Sequence, residues 1–317
     1  MLKKIKNDFS GINDFFKIIF MNKQAAVGFI ILLIFILMAV FGPIIIKPQI
    51  ADYANRLQAP SFQHWLGTDF SGKDTFKQFV LGSRDVLSIA LFAGVFTIAI
   101  GVIIGISSGL IGGLVDEILM MITNVVQTIP NFPVLMVLSL IISANNTLAF
   151  GLILSLWSWS GLARAIRAQT MSLKHKDFIE ASRLLGMGKG YIIVNDILPN
   201  IIPFIAVNFI MVMKSSIMAS VGLMVLGLAP FSGEHWGIML DIALTKTGAL
   251  LGSASTVYLW TPIVGIVLFQ LSCYMFSKGI EEAFNPRIRT SISGKKVKTI
   301  NLKPLLKGKD NGEINSM

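Results

Sequence analysis

The chain has 317 residues, of which 54% are hydrophobic and 14% charged, and its mean hydropathy is +0.72. So apolar a composition excludes an ordinary soluble domain, which must cover its core with polar groups, and predicts a membrane protein. The formal charge of +10 raises nucleic acid as a partner, but no nucleic-acid motif accompanies it, and the single Cys273 excludes an internal disulfide or a multi-cysteine metal site.

Lys3, Lys4 and Lys6 precede an apolar segment in the manner of a secretory signal. That segment is longer than a signal core, and no small-x-small cleavage site follows it, so a retained first span is expected. Within residues 1–24, Phe15, Phe16, Ile18, Ile19 and Phe20 beside Lys17 and Lys23 read as an interfacial helix. A spanning helix needs about 20 apolar residues. Residues 25–46 are free of charge, 22 in all. Further spans are expected at about 86–111, 118–142, 148–165, 200–228 and 256–277. The third and fourth divide a run of 46 uncharged residues, 118–163, at the turn-forming stretch Ser143, Ala144, Asn145, Asn146 and Thr147.

Six spans place both termini on one side of the membrane. The segments on that side carry 20 Lys and Arg residues and the opposite segments 6, so the termini and the polar stretch at 166–199 are assigned to the cytoplasm. Most of the basic excess is therefore topological in origin, and no nucleic-acid partner is expected. Gly101, Gly105 and Gly109 fall on one face of the second span, for close packing within the chain or for a dimer seam. Pro130 and Pro133 each remove a backbone donor from the third span and predict a bend.

One motif is a decoy. Gly67 to Lys73 has the GxxxxGK spacing of a phosphate loop, but Asp74 stands where Ser or Thr would hold magnesium, and Asp69 would repel phosphate. The three histidines, His64, His175 and His235, have no metal-binding spacing, and no nucleophile elbow occurs. No catalytic residue, metal or bound cofactor is expected of this chain.

The stretch from Asp177 to Asn200 is polar, punctuated by glycine and set between long apolar runs. Asp177 with Glu180 three residues on reads as an N-cap with its N3 acceptor, opening a short helix from Phe178 to Leu185 that Gly186 ends. Such a short amphipathic helix either lies on the membrane or enters a partner's groove.

Glu180-Ala181-Ser182, Gly186 five residues after Ala181, and Ile197-Leu198-Pro199 resemble the EAA loop of ABC importer permeases. Leu66-Gly67-Thr68-Asp69, Gly72-Lys73-Asp74 and Gly82-Ser83-Arg84 resemble the external segment of the dipeptide/oligopeptide/nickel group. Gly112-Gly113 with Asp116-Glu117, Ile129-Pro130, Arg164 and Arg167, Leu226-Gly227-Leu228, Trp236 with Met239-Leu240, and Asn285-Pro286-Arg287 continue the likeness in order. It covers about residues 60–289 and points to the C-type subunit of a permease heterodimer.

The resemblance implies an all-α polytopic membrane protein of type I ABC importer permease architecture, in the bacterial cytoplasmic membrane. Residues 25–289 form its six-span domain, and 290–317 a basic cytoplasmic tail. A sibling B-type permease would complete the pathway, and two cytoplasmic ATPase subunits would hold ATP and magnesium. An extracytoplasmic binding protein would deliver the substrate, a peptide or alternatively a nickel chelate or metallophore. Asp177, Phe178, Glu180, Ala181, Leu184, Leu185 and Gly186 become ATPase-coupling residues. Leu66, Gly67, Thr68, Asp69, Gly72, Lys73, Asp74 and Arg84 become candidate contacts for the binding protein.

The chain departs from its family at Ser220, where relatives carry Glu, at Ser277-Lys278 in place of Gly-Asp, and at Lys214 in mid-span. A cation there costs about 2.5–3.5 kcal/mol on insertion scales and should face protein or water. Lys214, with Asn208, Met211 and Ser215, is a candidate for the translocation pathway. The competing readings of Lys214 are an ion pair with the sibling permease or snorkelling. An ion-coupled carrier would share the topology but fits less well, because Lys214 is the one buried charge expected in the spans and no acidic relay accompanies it.

Overall fold

The structure, a computed structural model, describes residues 19–141, 146–228, 234–251 and 255–284. The expected interfacial helix before Ile19, most of the turn at 143–147, the Asn285-Pro286-Arg287 motif and the basic tail lie outside them. The described residues are mostly helical, apart from the largely irregular segment 46–74, and hold a single isolated β-bridge between Thr68 and Asp74.

Helix α1 is Lys23–Ile45, opened by Asn22, whose side-chain oxygen accepts from the backbone of Gln24 and Ala25. Helix α2 runs from Thr75 to Ile111. At 37 residues it is about 55 Å long and outreaches a hydrocarbon core of about 30 Å. Its start lies well before residue 86, because Asp74 caps it by accepting from Lys77 N at 3.0 Å and no proline stands between 75 and 86. The charge-free run marks only the lipid-facing part of a helix whose first turns carry Lys77, Arg84 and Asp85.

Helices α3 (Gly113–Thr128) and α4 (Asn131–Ile141) form one broken span, bent by 83° at Ile129 and Pro130. Pro130 supplies the break. Pro133 sits in the first turn of α4, where its missing donor has no intrahelical partner to lose. Helix α5 is Thr147–Lys174, α6 Asp177–Leu184, α7 Leu198–Val225, α8 Trp236–Lys246 and α9 Thr256–Phe284. With the broken pair counted once, up to six elements are long and apolar enough to cross a membrane.

The glycine stripe is used inside the chain. A Cβ on Gly105 would lie 2.7 Å from the carbonyl oxygen of Ala163, one on Gly101 2.9 Å from Leu162 Cδ2, and one on Gly109 2.8 Å from the Cβ of Thr170. Gly105 and Gly109 therefore bring α2 almost into contact with the backbone of α5, and Gly101 seats the Leu162 side chain. Gly151 answers from α5, where a Cβ would meet Ile89 O at 3.0 Å. A second core surrounds the fully buried Trp236, which stacks on Phe79 at 5.0 Å, donates its Nε1–H to Phe79 O at 2.9 Å and takes Phe35 edge-on. That cluster ties α1, α2, α8 and α9 together.

Gly105→Val is expected to destabilise the purified protein by about 1–3 kcal/mol through overpacking, read as a lower thermal unfolding midpoint in detergent. Gly161→Ala, where a Cβ meets nothing within 4 Å, should leave that midpoint unchanged or raise it.

Candidate functional site

Helix α6 is built to project. Its capping differs from expectation: the N-cap is Lys176, and Asp177 and Glu180 stand within the first turn without capping it. The extended backbone of Lys176 starts the helix one residue earlier than a cap at Asp177 would, so the two carboxylates act on the positive helix end through charge alone. The C-terminus follows the predicted pattern. Gly186 has φ +75°, its N–H reaches Arg183 O, and Met187 N–H reaches Ser182 O, which closes a Schellman motif.

One side chain anchors this helix. Ile179 is 0% exposed, in a cluster with Ile106, Leu110, Ile166 and Ile197. Asp177, Phe178, Glu180, Ala181, Leu184, Leu185 and Gly186 are all exposed, Leu184 at 84% and Leu185 at 74%. The structure thus brings all seven predicted coupling residues onto one accessible element, with bare leucines beside a carboxylate.

The return path to the membrane is a helical turn at Lys189–Tyr191 and a π-helical turn at Ile192–Ile197, which run into α7. Pro199 cannot donate to a carbonyl one turn back and crowds it, and the widened turn relieves that clash. Asn195 and Asn200 donate their side-chain amides to Tyr191 O and Asp196 O at 3.1 and 2.6 Å.

On the other side of the hinge, Arg167 of α5 holds Asp116 of α3 through two bonds, Nε to Oδ1 at 2.5 Å and Nη2 to Oδ2 at 2.6 Å. Ser108 Oγ donates to the same carboxylate, and Arg164 reaches Asn124 Oδ1 at 2.6 Å. Paired, planar contacts of this kind fix orientation as well as distance. The start of the broken span is thereby locked to the helix that feeds the hinge.

In the external segment the structure separates the predicted contact residues. Thr68, Asp69 and Asp74 are buried. Asp69 Oδ1 accepts from Ser71 N and Lys73 N, both at 2.8 Å. Thr68 Oγ donates to Asn55 O at 2.6 Å, and Asp74 Oδ2 meets His64 Nδ1 at 2.9 Å. Gly67 and Gly72 have φ of +75° and +77°, and a Cβ on Gly72 would fall 1.7 Å from Asp52 O. These residues set the shape of the segment and are closed to direct contact. Leu66 and Lys73 are half-buried, Lys73 pairs with Glu234 at 3.1 Å, and Arg84 is exposed. The accessible apolar groups are Ile50, Tyr53, Phe62 and Trp65, which pattern reading passed over although aromatics in a polar stretch were the available signal.

The pathway candidates also divide. Asn208, Met211 and Ser215 follow one another at helical spacing on one stripe of α7. Lys214 turns instead toward α9, where its carbonyl accepts from Gln270 Nε2 at 3.0 Å and its ammonium lies 6.0 Å from the centre of the Tyr274 ring. Ser215 lines a cavity between α4, α5 and α7 that excludes Lys214.

A family model described as binding-protein-dependent transport system inner membrane component matches residues 101–290. A second, described as the N-terminal TM domain of oligopeptide transport permease C, matches residues 11–60. The oligopeptide transport system permease protein of Bacillus subtilis is 30% identical over 274 residues, covering 84% of this chain and 87% of its own. The dipeptide transport system permease protein of Alkalihalophilus pseudofirmus is 31% identical over 279 residues, 87% and 90% of the two chains. The glutathione transport system permease protein of Shigella dysenteriae is 31% identical over 240 residues, 75% and 77%.

His235, the N-cap of α8, gives the fold a pH dependence. Burial pushes its imidazole down from 6.5 to about 3, so it stays neutral in the folded protein, its Nδ1 accepting from Gly237 N. Between those values the unfolded chain binds the extra proton, so stability is full above about 6.5 and falls as pH drops. The unfolding midpoint should decline from neutral pH toward pH 5, about 1.5 units below that threshold, and His235→Asn should flatten the slope.

Proposed function

The chain belongs to the family of binding-protein-dependent transport system inner membrane components, and on that premise we propose that it forms, with a sibling permease, the membrane pathway for imported peptides. It is an ABC importer permease of the dipeptide and oligopeptide group. The names of its relatives support a peptide cargo. In this reading two ATPases dock on α6 from the cytoplasm, and an extracytoplasmic binding protein meets the segment between α1 and α2.

The observation that carries the reading is the division of labour within α6. A helix held by one buried isoleucine, with seven exposed neighbours, has too little contact with its own chain to explain two bare leucines. A partner groove that takes Phe178, Leu184 and Leu185 explains them, with Glu180 supplying orientation. ATP-driven closure of the ATPases would then displace α6. The shift passes backward through α5, which is locked to α2 by the glycine seam and to α3 by Arg167, and forward through the π turn into α7. Two helix groups that move as rigid bodies about such a hinge give alternating access. The polar asymmetry of Lys and Arg supports cytoplasmic termini and a cytoplasmic hinge.

The test uses the complex of both permeases, the ATPases and the binding protein in proteoliposomes with ion gradients collapsed. Uptake of labelled peptide should require ATP; uptake that persists without ATP would identify an ion-independent or carrier process instead. Leu184→Asp and Glu180→Ala should weaken ATPase association by about tenfold or more and uncouple hydrolysis from peptide, with membrane insertion intact. Normal coupling in both variants would overturn the assignment of α6.

A further inference from the structure

The ends of α2 and α5, helix α6 and the turn at Lys189–Tyr191 surround a cavity of about 340 Å3, within the range for ligand sites. Lys174, Arg183 and Lys189 line it over the apolar residues Leu110, Ile111 and Ile192, and among the described residues no carboxylate does. Each cation comes from a different element. Lys174 is the last residue of α5, and its ammonium lies 3.7 Å from the position a Cβ would take on Gly112, just past the end of α2. Arg183 follows the buried anchor Ile179 by four residues, so it leaves α6 on the face turned toward the chain's own spans. Lys189 opens the turn that leads back to α7. Arg183 and Lys189 are exposed and Lys174 is half-buried, so a ligand can reach all three.

Nearby negative charge does not match these cations. Asp116, whose field reaches Lys174, is taken by Arg167 and Ser108. The C-terminal ends of α2, α5 and α6 supply at most about half a negative charge each, which leaves a positive excess of about 1.5 charges. The depth is that of lipid headgroups. From Val86, the first residue of its uncharged run, to Ile111, α2 rises about 38 Å. That exceeds a hydrocarbon core of about 30 Å and stays within the roughly 40–45 Å of a bilayer with its headgroups. Ile111, 47% exposed, therefore stands where acyl chains give way to phosphates.

We propose that this cavity binds the phosphate of an anionic phospholipid, its oxygens accepting from Lys174, Arg183 and Lys189 while an acyl chain lies along Ile111. Basic pockets between membrane helices take such headgroups. The lipid must carry net negative charge, because a zwitterionic headgroup brings its own cation and leaves the positive excess unmatched. Ile179 is the one buried residue of α6. A phosphate shared by Arg183 of α6 and Lys174 of α5 adds a second attachment and stiffens the path from the hinge to the spans. The binding itself requires no partner protein; its effect on coupling rests on the reading of α6 given above.

The test places the complex of both permeases, the ATPases and the binding protein in nanodiscs of phosphatidylcholine with a minor share of labelled phosphatidylglycerol. Mass spectrometry then measures the label retained after transfer to mild detergent. Retention should fall about fivefold for each cation removed in Arg183→Gln and Lys189→Gln, and further in the double variant. Lys246→Gln, outside the cavity, should retain the label in full. Unchanged retention in the double variant would overturn the site. In pure phosphatidylcholine, inorganic phosphate at constant ionic strength should leave the thermal unfolding midpoint unmoved; a rise that the double variant abolishes would identify a free anion and sink the lipid assignment. Loss of ATPase association by the double variant in that same lipid would show that the cations face the ATPases, and would also overturn it. Peptide-stimulated hydrolysis should increase with the phosphatidylglycerol fraction, and the double variant should lose that dependence; a dependence kept despite lost retention would remove the bridging role. If retention falls as expected while hydrolysis ignores peptide in every lipid, the coupling reading of α6 fails and the lipid site stands.

Discussion

The close contact between α2 and α5 governs how the rest of the molecule works. In lipid there is no water-driven force to hold two apolar helices together, so association depends on van der Waals contact and on polar groups that satisfy one another. Gly101, Gly105 and Gly109 let the two backbones approach until a single added carbon would overlap Leu162, Ala163 or Thr170. Helix α5 ends at the hinge, and the anchor of the hinge, Ile179, packs in a cluster that includes Ile106 and Leu110 of α2. Any displacement of α6 therefore moves two spans at once, with little bending in between. A pair of helices joined through larger side chains would absorb part of such a motion in rotamer changes.

Polar residues in this chain are spent on shape more than on recognition. Asp116 is fully engaged by Arg167 and Ser108, Asp69 by the backbone of its own loop, and Asp74 by His64 and the start of α2. Asp69 and Asp74 accept hydrogen bonds from backbone groups that would otherwise be left unpaired at a turn or helix end, where the loss is largest. The exposed apolar groups are Leu184 and Leu185 on the hinge and Phe62 and Trp65 on the segment between α1 and α2, and on the hinge they stand beside the exposed carboxylates of Asp177 and Glu180.

The spanning helices were legible in the sequence because long uncharged runs are a direct consequence of bilayer energetics. The hinge was legible for two reasons: Gly186 supplies the left-handed turn that ends its helix, and Glu180 with Ala181 carries the pattern by which it resembles the EAA loop. What stayed hidden depends on three-dimensional neighbours. Counting charges could not show that Thr75 to Asp85 continues the second helix, because exposed turns tolerate charge. Spacing placed Lys214 beside Ser215, yet about 100° of helical rotation per residue sends them to different faces. The capping role assigned to Asp177 passed to Lys176 because the backbone turn at Leu173 to Lys176 fixes where the helix starts, and no side-chain pattern reports a backbone turn.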